Sequence, residues 1–440
     1  MDMSGLSLDQ APPYRGVYRF FLTAPVFAML AALVVTFGGA SLFSSFLNFS
    51  LIGVIHWLTL GFITMTMFGA ATQMLPVLAG VKLKNPVIFA ASIHFTLTSG
   101  ALLLGASYVF SFKGLLPFAG VLVSFSVLMF SVRILLRLTA IKNASATIRA
   151  MRMSIASLMV VWLLGIYMLG WHMNWFHGLN VDLLSVHFLW AFVGWVGILV
   201  MGVSFQVIPM FYVSPDYHAA FRRFVPAAIV VLLVFYTIVT VSPLVAIPGE
   251  TLANESTYVK KAIRIALYSI MAFYAVVTLL QIGRRKRKLP DPGLLFWKTS
   301  MIFLLVSSAM STTVEFYGGA MFSKLILLTG MAFMIGFVFS AINGMMYKIV
   351  PFLSWFHLAG KGIFDVPTMR DMLDDDRVKL QFAFHLLLLF SLPVPLFYPH
   401  WGYFVTGPLF FISSFLLWLN LYTVIIKYNA INKKHMKLQA

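Results

Sequence analysis

The stretch HWLTLGFITMTMFGAATQMLPVL, residues 56–78, decides the fold. It is uncharged and long enough for the ~20 residues a helix needs to cross a bilayer. Near its end stand Gly69, a polar residue four positions on (Gln73), and proline three beyond that (Pro76). The same ending returns twice. VMGVSFQVIPMF (200–211) carries Gly202, Gln206 and Pro209, and INGMMYKIVPFL (342–353) carries Gly344, Lys348 and Pro351. Glycine permits close helix contact, the polar group reaches toward the interface, and proline is expected to stop the helix.

On either side of this stretch, apolar runs of spanning length recur along the chain. Of its 440 residues 61% are hydrophobic and only 10% charged, against about 25% charged in a soluble domain. Hydropathy in a window of about 19 residues places helices at 17–40, 50–78, 86–111, 114–139, 148–170, 181–211, 222–245, 260–282, 295–317, 323–351, 379–398 and 403–427. The three like endings fall four helices apart. The chain therefore reads as an all-α polytopic membrane protein, with 12 transmembrane helices in three pseudo-symmetric four-helix arcs. It is a single membrane domain whose repeats run over about 1–145, 146–288 and 289–440.

The net charge of +18 would point to nucleic acid in a soluble protein. Here the cations flank apolar runs, which fits a surface of anionic lipid and makes the bilayer the expected partner, with no nucleic acid. Arg133, Arg137, Lys142, Arg149 and Arg152, then Arg284, Arg285, Lys286, Arg287 and Lys288, then Lys427, Lys433, Lys434 and Lys437 all fall on one side of a twelve-span chain. The positive-inside rule makes that side, and both termini, cytoplasmic. Lys260 and Lys261 are exceptions on the other side. The start MDMSGLSLDQAPPYRG is polar, without the features of a secretory signal. Residues 352–378, with Asp374, Asp375, Asp376 and Arg377, read as a solvated loop. No cysteine is present, which excludes disulfides, thiolate ligands and iron–sulfur clusters. No nucleotide-binding loop, catalytic triad or zinc signature occurs.

Twelve helices in three arcs, both termini cytoplasmic, and the endings GMMYKIVPFLSWF (344–356) and HWLTLGFITMTMFGAATQMLPVL together resemble the catalytic subunit of the heme–copper oxidase superfamily. The resemblance spans the chain in architecture and is specific in these segments. It has departures. The superfamily carries a His-x-His pair at the outer end of helix ten and adjacent histidines on helix seven. Here LLTGMAFMIG (327–336) and FVPAAIVVLLVFYTIV (224–239) hold no histidine. The chain is not expected to be a terminal oxidase.

His56 lies 20 residues before Pro76, and His187 lies 22 before Pro209. At about 1.5 Å per residue they stand roughly 30 and 33 Å from equivalent points. The two-residue offset turns their side chains by about 200°. In the oxidases the low-spin heme lies between histidines on helices ten and two. One repeat further on, the resemblance implies a bis-histidine heme b, iron held by His56 and His187, in the first pore, with Gly61 and Gly194 leaving room for a porphyrin face. Copper on the same residues is the lesser alternative.

His94 and His385 read as packing residues or a proton relay. His172 and His177, beside Trp171 and Trp175, read as propionate partners, an exposed metal site or an aromatic belt. Glu315 is a proton acceptor or a surface carboxylate, Lys348 a snorkelling cation, and the 25 methionines ordinary apolar filling rather than copper ligands. Together these residues suggest a redox, electron-transport protein of the bacterial inner membrane. Its expected partners are quinol or an extracytoplasmic cytochrome, and other membrane subunits or a second copy. The alternatives are a nitric-oxide-response protein, a transporter or channel, and a non-catalytic scaffold or assembly subunit.

Overall fold

The computed structural model describes residues 13–79, 84–177, 182–241, 250–286, 288–317, 320–361, 363 and 366–439, with the backbone alone at 74–79, 250–256, 320 and 437–439. The polar start 1–12, the end of the seventh expected span at 242–245, Arg287, and the side chains of Pro76 and Lys437 lie outside the described residues. Twelve helices are long and apolar enough to cross a membrane, and among the described residues there is no strand. They are α1 (Tyr14–Phe37), α2 (Phe49–Gln73), α3 (Pro86–Val109), α4 (Lys113–Thr139), α5 (Ala146–His172), α6 (Asp182–Tyr212), α7 (Ala219–Val241), α8 (Thr257–Gly283), α9 (Pro292–Val314), α10 (Met321–Ala359), α11 (Asp375–Phe397) and α12 (Pro399–Met436). The chain is a multi-pass, all-α membrane protein.

Helix starts follow local chemistry. Asn48 accepts the amide of Leu51 ahead of α2, Ser145 that of Ile148 ahead of α5, and Asp374 that of Asp376 ahead of α11, each relieving an orphan donor of a first turn. Pro86, Pro292 and Pro399 open their helices, where a missing N–H costs nothing. Arg152 of α5 donates to the carbonyls of Leu138 and Ile141, closing the end of α4, as cations do at helix C-termini.

The prolines do not stop their helices. Helical backbone continues to Ala79 beyond Pro76, to Tyr212 beyond Pro209 and to Ala359 beyond Pro351. Proline removes one amide donor per site, and neighbouring packing outweighs that loss. Beyond Pro351, Phe352, Leu353, Ser354 and Leu358 are buried, and Ser354 Oγ shares a 2.9 Å hydrogen bond with Tyr14 OH of α1. The expected loop 352–378 is accordingly shorter, because its first eight residues are helical. In each of α2, α6 and α10 the proline marks the end of the helix that follows it, termed the proline end.

The three helices share a feature absent from the hydropathy pattern. Each contains an eight-residue π-helical segment: Trp57–Thr64, Trp190–Gly197 and Ala332–Phe339. Every one begins 19 residues before its proline and carries glycine at its fifth position, Gly61, Gly194 and Gly336. The carbonyl next after this glycine accepts a hydroxyl at 2.8 Å in all three: Thr66 Oγ1 on Phe62, Ser154 Oγ on Trp195, Ser300 Oγ on Phe337. Widened turns weaken the backbone ladder, and in hydrocarbon no water replaces it, so a side-chain donor is placed there. Ser154→Ala and Ser300→Ala are each expected to cost about 1–2 kcal/mol, read by denaturant unfolding in detergent; losses below a few tenths would show that the widened turn needs no donor.

By contacts the chain falls into two compact units. The first comprises 127–289 and 301–329, the second 2–126, 290–300 and 330–440. In the first, α5 lies along α6, Ala150 against Gly202 and Ser157 against Gly194. In the second, α1 lies along α2, with Phe20 over Gly69 and Phe27 over Gly61, while Thr36 meets Gly407 of α12. Small residues bring backbones close where lipid supplies no hydrophobic drive between helices.

Candidate functional site

His56 is the last α-helical residue before the π-segment of α2. Its Nδ1 lies 2.8 Å from the Ile52 carbonyl. A carbonyl only accepts, so Nδ1 carries the proton and Nε2 keeps its lone pair. That is the tautomer a histidine ligand adopts, with the second nitrogen anchored to backbone. Among the described residues Nε2 has no hydrogen-bond partner, and the ring is half-buried, stacked on Tyr108 of α3 at 5.9 Å between centroids.

His187 belongs to the first unit and His56 to the second, so each is described within its own. The His187 ring is half-buried on α6 and faces Gly165 of α5, where a Cβ would stand 3.6 Å from its Cε1. The start of α6 is held on both sides of this histidine. Ser185 Oγ spends its proton on the Asp182 carbonyl at 2.6 Å, so Tyr236 OH donates to Ser185 at 2.9 Å. Arg264 Nη1 in turn donates to Tyr236 OH at 2.9 Å, and Nε and Nη2 grip Glu315 at 2.6 and 2.5 Å. Lys260, one turn before Arg264, meets Asp182 at 3.2 Å. Beyond the histidine, Trp190 Nε1 donates to Thr237 Oγ1 at 2.8 Å.

This arrangement corrects the readings of Glu315 and Lys260. Glu315 is neither a free proton acceptor nor a surface carboxylate, because its side chain is 8% exposed and fully engaged by Arg264. Lys260 faces a carboxylate of its own, which offsets part of its cost on that side of the chain. Sequence reading missed Arg264, Tyr236 and Ser185. A signal existed, since Arg264 is a charge seven residues inside a span that begins at Thr257, and an intramembrane charge marks a paired or functional group.

His94 Nε2 lies 2.9 Å from Thr23 Oγ1, and His385 Nε2 lies 2.8 Å from Ser340 Oγ. His385 is 1% exposed and His94 half-buried, and each ring has a hydroxyl partner. Lys348 pairs with Asp291 of the segment before α9. The His172 ring lies tilted beside that of Trp171, centroids 6.2 Å apart, and His177 and Trp175 are exposed.

Gly61 and Gly194 leave no room for a porphyrin. A Cβ on Gly61 would stand 2.2 Å from the Phe27 ring, and one on Gly194 would stand 3.0 Å from Ser157. Both glycines serve helix contact. In the second unit α2 and α10 meet ring on ring, Phe62 against Phe339 at 3.9 Å, which fills the seam at that level. Among the described residues no three His, Asp or Glu side chains gather as metal ligands. No family model matches the chain, and no curated protein matches it.

Proposed function

We propose that the chain is a heme b protein of a bacterial cytoplasmic membrane, built on a scaffold like that of the heme–copper oxidases, in which His56 and His187 would hold the heme and electron transfer is its work. The observation that carries this reading is the hydrogen bond from His56 Nδ1 to Ile52, which presents Nε2 as a donor. The comparison of the two histidines also survives the π-segments. Both precede a segment of the same length and register, so their two-residue offset is unaltered.

A bound b-type heme would supply one-electron redox chemistry. The chain's own part would be to present the two imidazoles, that of His56 in the tautomer that Ile52 fixes. Held by two histidines, such a heme would serve electron transfer better than ligand activation. The basic loops place the proline end in the cytoplasm. The histidines then lie toward the outer face, where quinol or an extracytoplasmic cytochrome is the proposed partner.

The reduced-minus-oxidised visible spectrum of the purified protein tests this. A sharp low-spin α-band is expected, lost in His56→Ala and in His187→Ala. Folded wild-type protein from heme-replete cells without a Soret band would overturn the reading and leave a transporter or a scaffold subunit.

A further inference from the structure

Phe49, the first residue of α2, and His56, about two turns along the same face, hold one ring of α3 between them. The Tyr108 ring lies 6.2 Å from that of Phe49 and 5.9 Å from that of His56, with interplanar angles of 18° and 24°. The three rings form a near-parallel ladder. Close packing of α2 on α3 fixes it. A Cβ on Gly53 would stand 2.7 Å from the Gly105 carbonyl oxygen and 3.1 Å from Tyr108 Cβ. The Trp57 indole packs on Gly105 and donates to the Leu102 carbonyl at 3.3 Å. The rung farthest from His56 is open: Phe49 is 48% exposed, and Phe110 and Phe112, in the turn that follows α3, are exposed too.

The chain around this end of α2 is almost without charge. Residues 38–48 read GGASLFSSFLN and residues 110–115 read FSFKGL. The last turn of α11, Val394–Phe397, lies against 40–43 and is apolar. Lys113 is the one charge among these segments. An electron carrier that arrives through water docks by complementary charge, and a single lysine is no patch for it. A carrier dissolved in the bilayer needs none. We propose that the open end of the ladder binds the flat head of a membrane quinol, stacked on Phe49. Aromatic faces favour offset stacking at these separations, so a fourth planar ring extends the ladder, whereas an acyl chain has no plane to match. The partner is then a lipid-soluble ring and not a soluble cytochrome. The inference deepens the heme reading and rests on it for the role of His56, the group at the foot of the ladder.

Photolabelling of the full chain in lipid nanodiscs with an azido-quinone tests it, the labelled peptides being identified by mass spectrometry. Label is expected in 46–56 or 105–112. It should fall several-fold with an excess of unmodified short-chain quinone, and equally in Phe49→Ala. Phe95→Ala supplies the control, since Phe95 is 67% exposed on the same helix as Tyr108 and about 20 Å along it. That variant is expected to label as the wild type does. Absent label, or label that spreads over lipid-facing helices and resists competition, overturns the proposal, because Phe49 is then covered by acyl chains as Phe95 is. Should Phe49→Ala fail to fold, competition on the wild-type protein decides. A visible spectrum of the same sample separates the two readings. A Soret band without competed label overturns the quinol site alone, and competed label without a Soret band upholds the site and overturns the heme.

Discussion

Glu315→Ala is expected to destabilise the chain by about 2–4 kcal/mol. Removing one partner of a buried pair costs about 3–5 kcal/mol because the other charge is stranded, and the figure is lowered here because the Arg264 side chain is 21% exposed and partly screened. The loss should not come from the carboxylate alone. Arg264 also feeds the hydrogen bond of Tyr236 and, through it, the first turn of α6. Arg264→Leu combined with Glu315→Leu is expected to recover most of the loss, since an apolar pair of similar volume strands nothing. Denaturant unfolding in detergent of the two single variants and the double one closes the cycle. A cost below about 1 kcal/mol for Glu315→Ala would mean that the pair is hydrated and anchors nothing.

Gly61→Val is expected to cost about 2–3 kcal/mol by overpacking. The Cβ would stand 2.2 Å from Cγ and 2.3 Å from Cδ1 of Phe27, and an aromatic ring packed between two helices cannot swing aside as the tip of a lysine can. Phe27→Ala in the same chain should return part of the loss. Gly330→Ala supplies the contrast, with nothing within 4 Å of its Cβ. It is expected to be neutral or to stabilise by up to about 1 kcal/mol through helix propensity. Melting temperatures of the purified variants give the order. If Gly61→Val melts with the wild type, close approach at the π-segment is not what holds α1 on α2.

Much of the fold was legible because a bilayer leaves helices few choices. Hydropathy placed the spans to within a few residues of where they lie, apart from the start of α8, whose helical backbone reaches back to Glu250, and the far ends of α10 and α12. Those two run on past their apolar cores, and what carries them is tertiary. Tyr14 of α1 stacks on Tyr428 of α12 at 4.0 Å while its hydroxyl meets Ser354 of α10, partners hundreds of residues apart in the chain. The Gly–polar–Pro endings revealed the repeat of α2, α6 and α10, yet not the π-segments. Trp57, Gly61, Trp190 and Gly194 are equally at home in an α-helix, and the difference lies in which carbonyl each amide reaches. The site was legible in part. A histidine announces itself, whereas its tautomer depends on the Ile52 carbonyl, and the grip of Arg264 on Glu315 joins residues 51 positions apart.

The three π-segments also set the angular register of everything beyond them. A residue dropped from a helix turns every later residue by about 100°, so a single deletion within 57–64 that left the widened winding in place would rotate the outer end of α2 against its proline end. His56 would then leave the helix in a different direction, although no neighbour of it had been touched. Equal insertions in α2, α6 and α10 keep the three helices in step. Length changes in these segments are therefore tolerable only when they keep the phase, and a one-residue indel there should be far more damaging than a substitution at the same place.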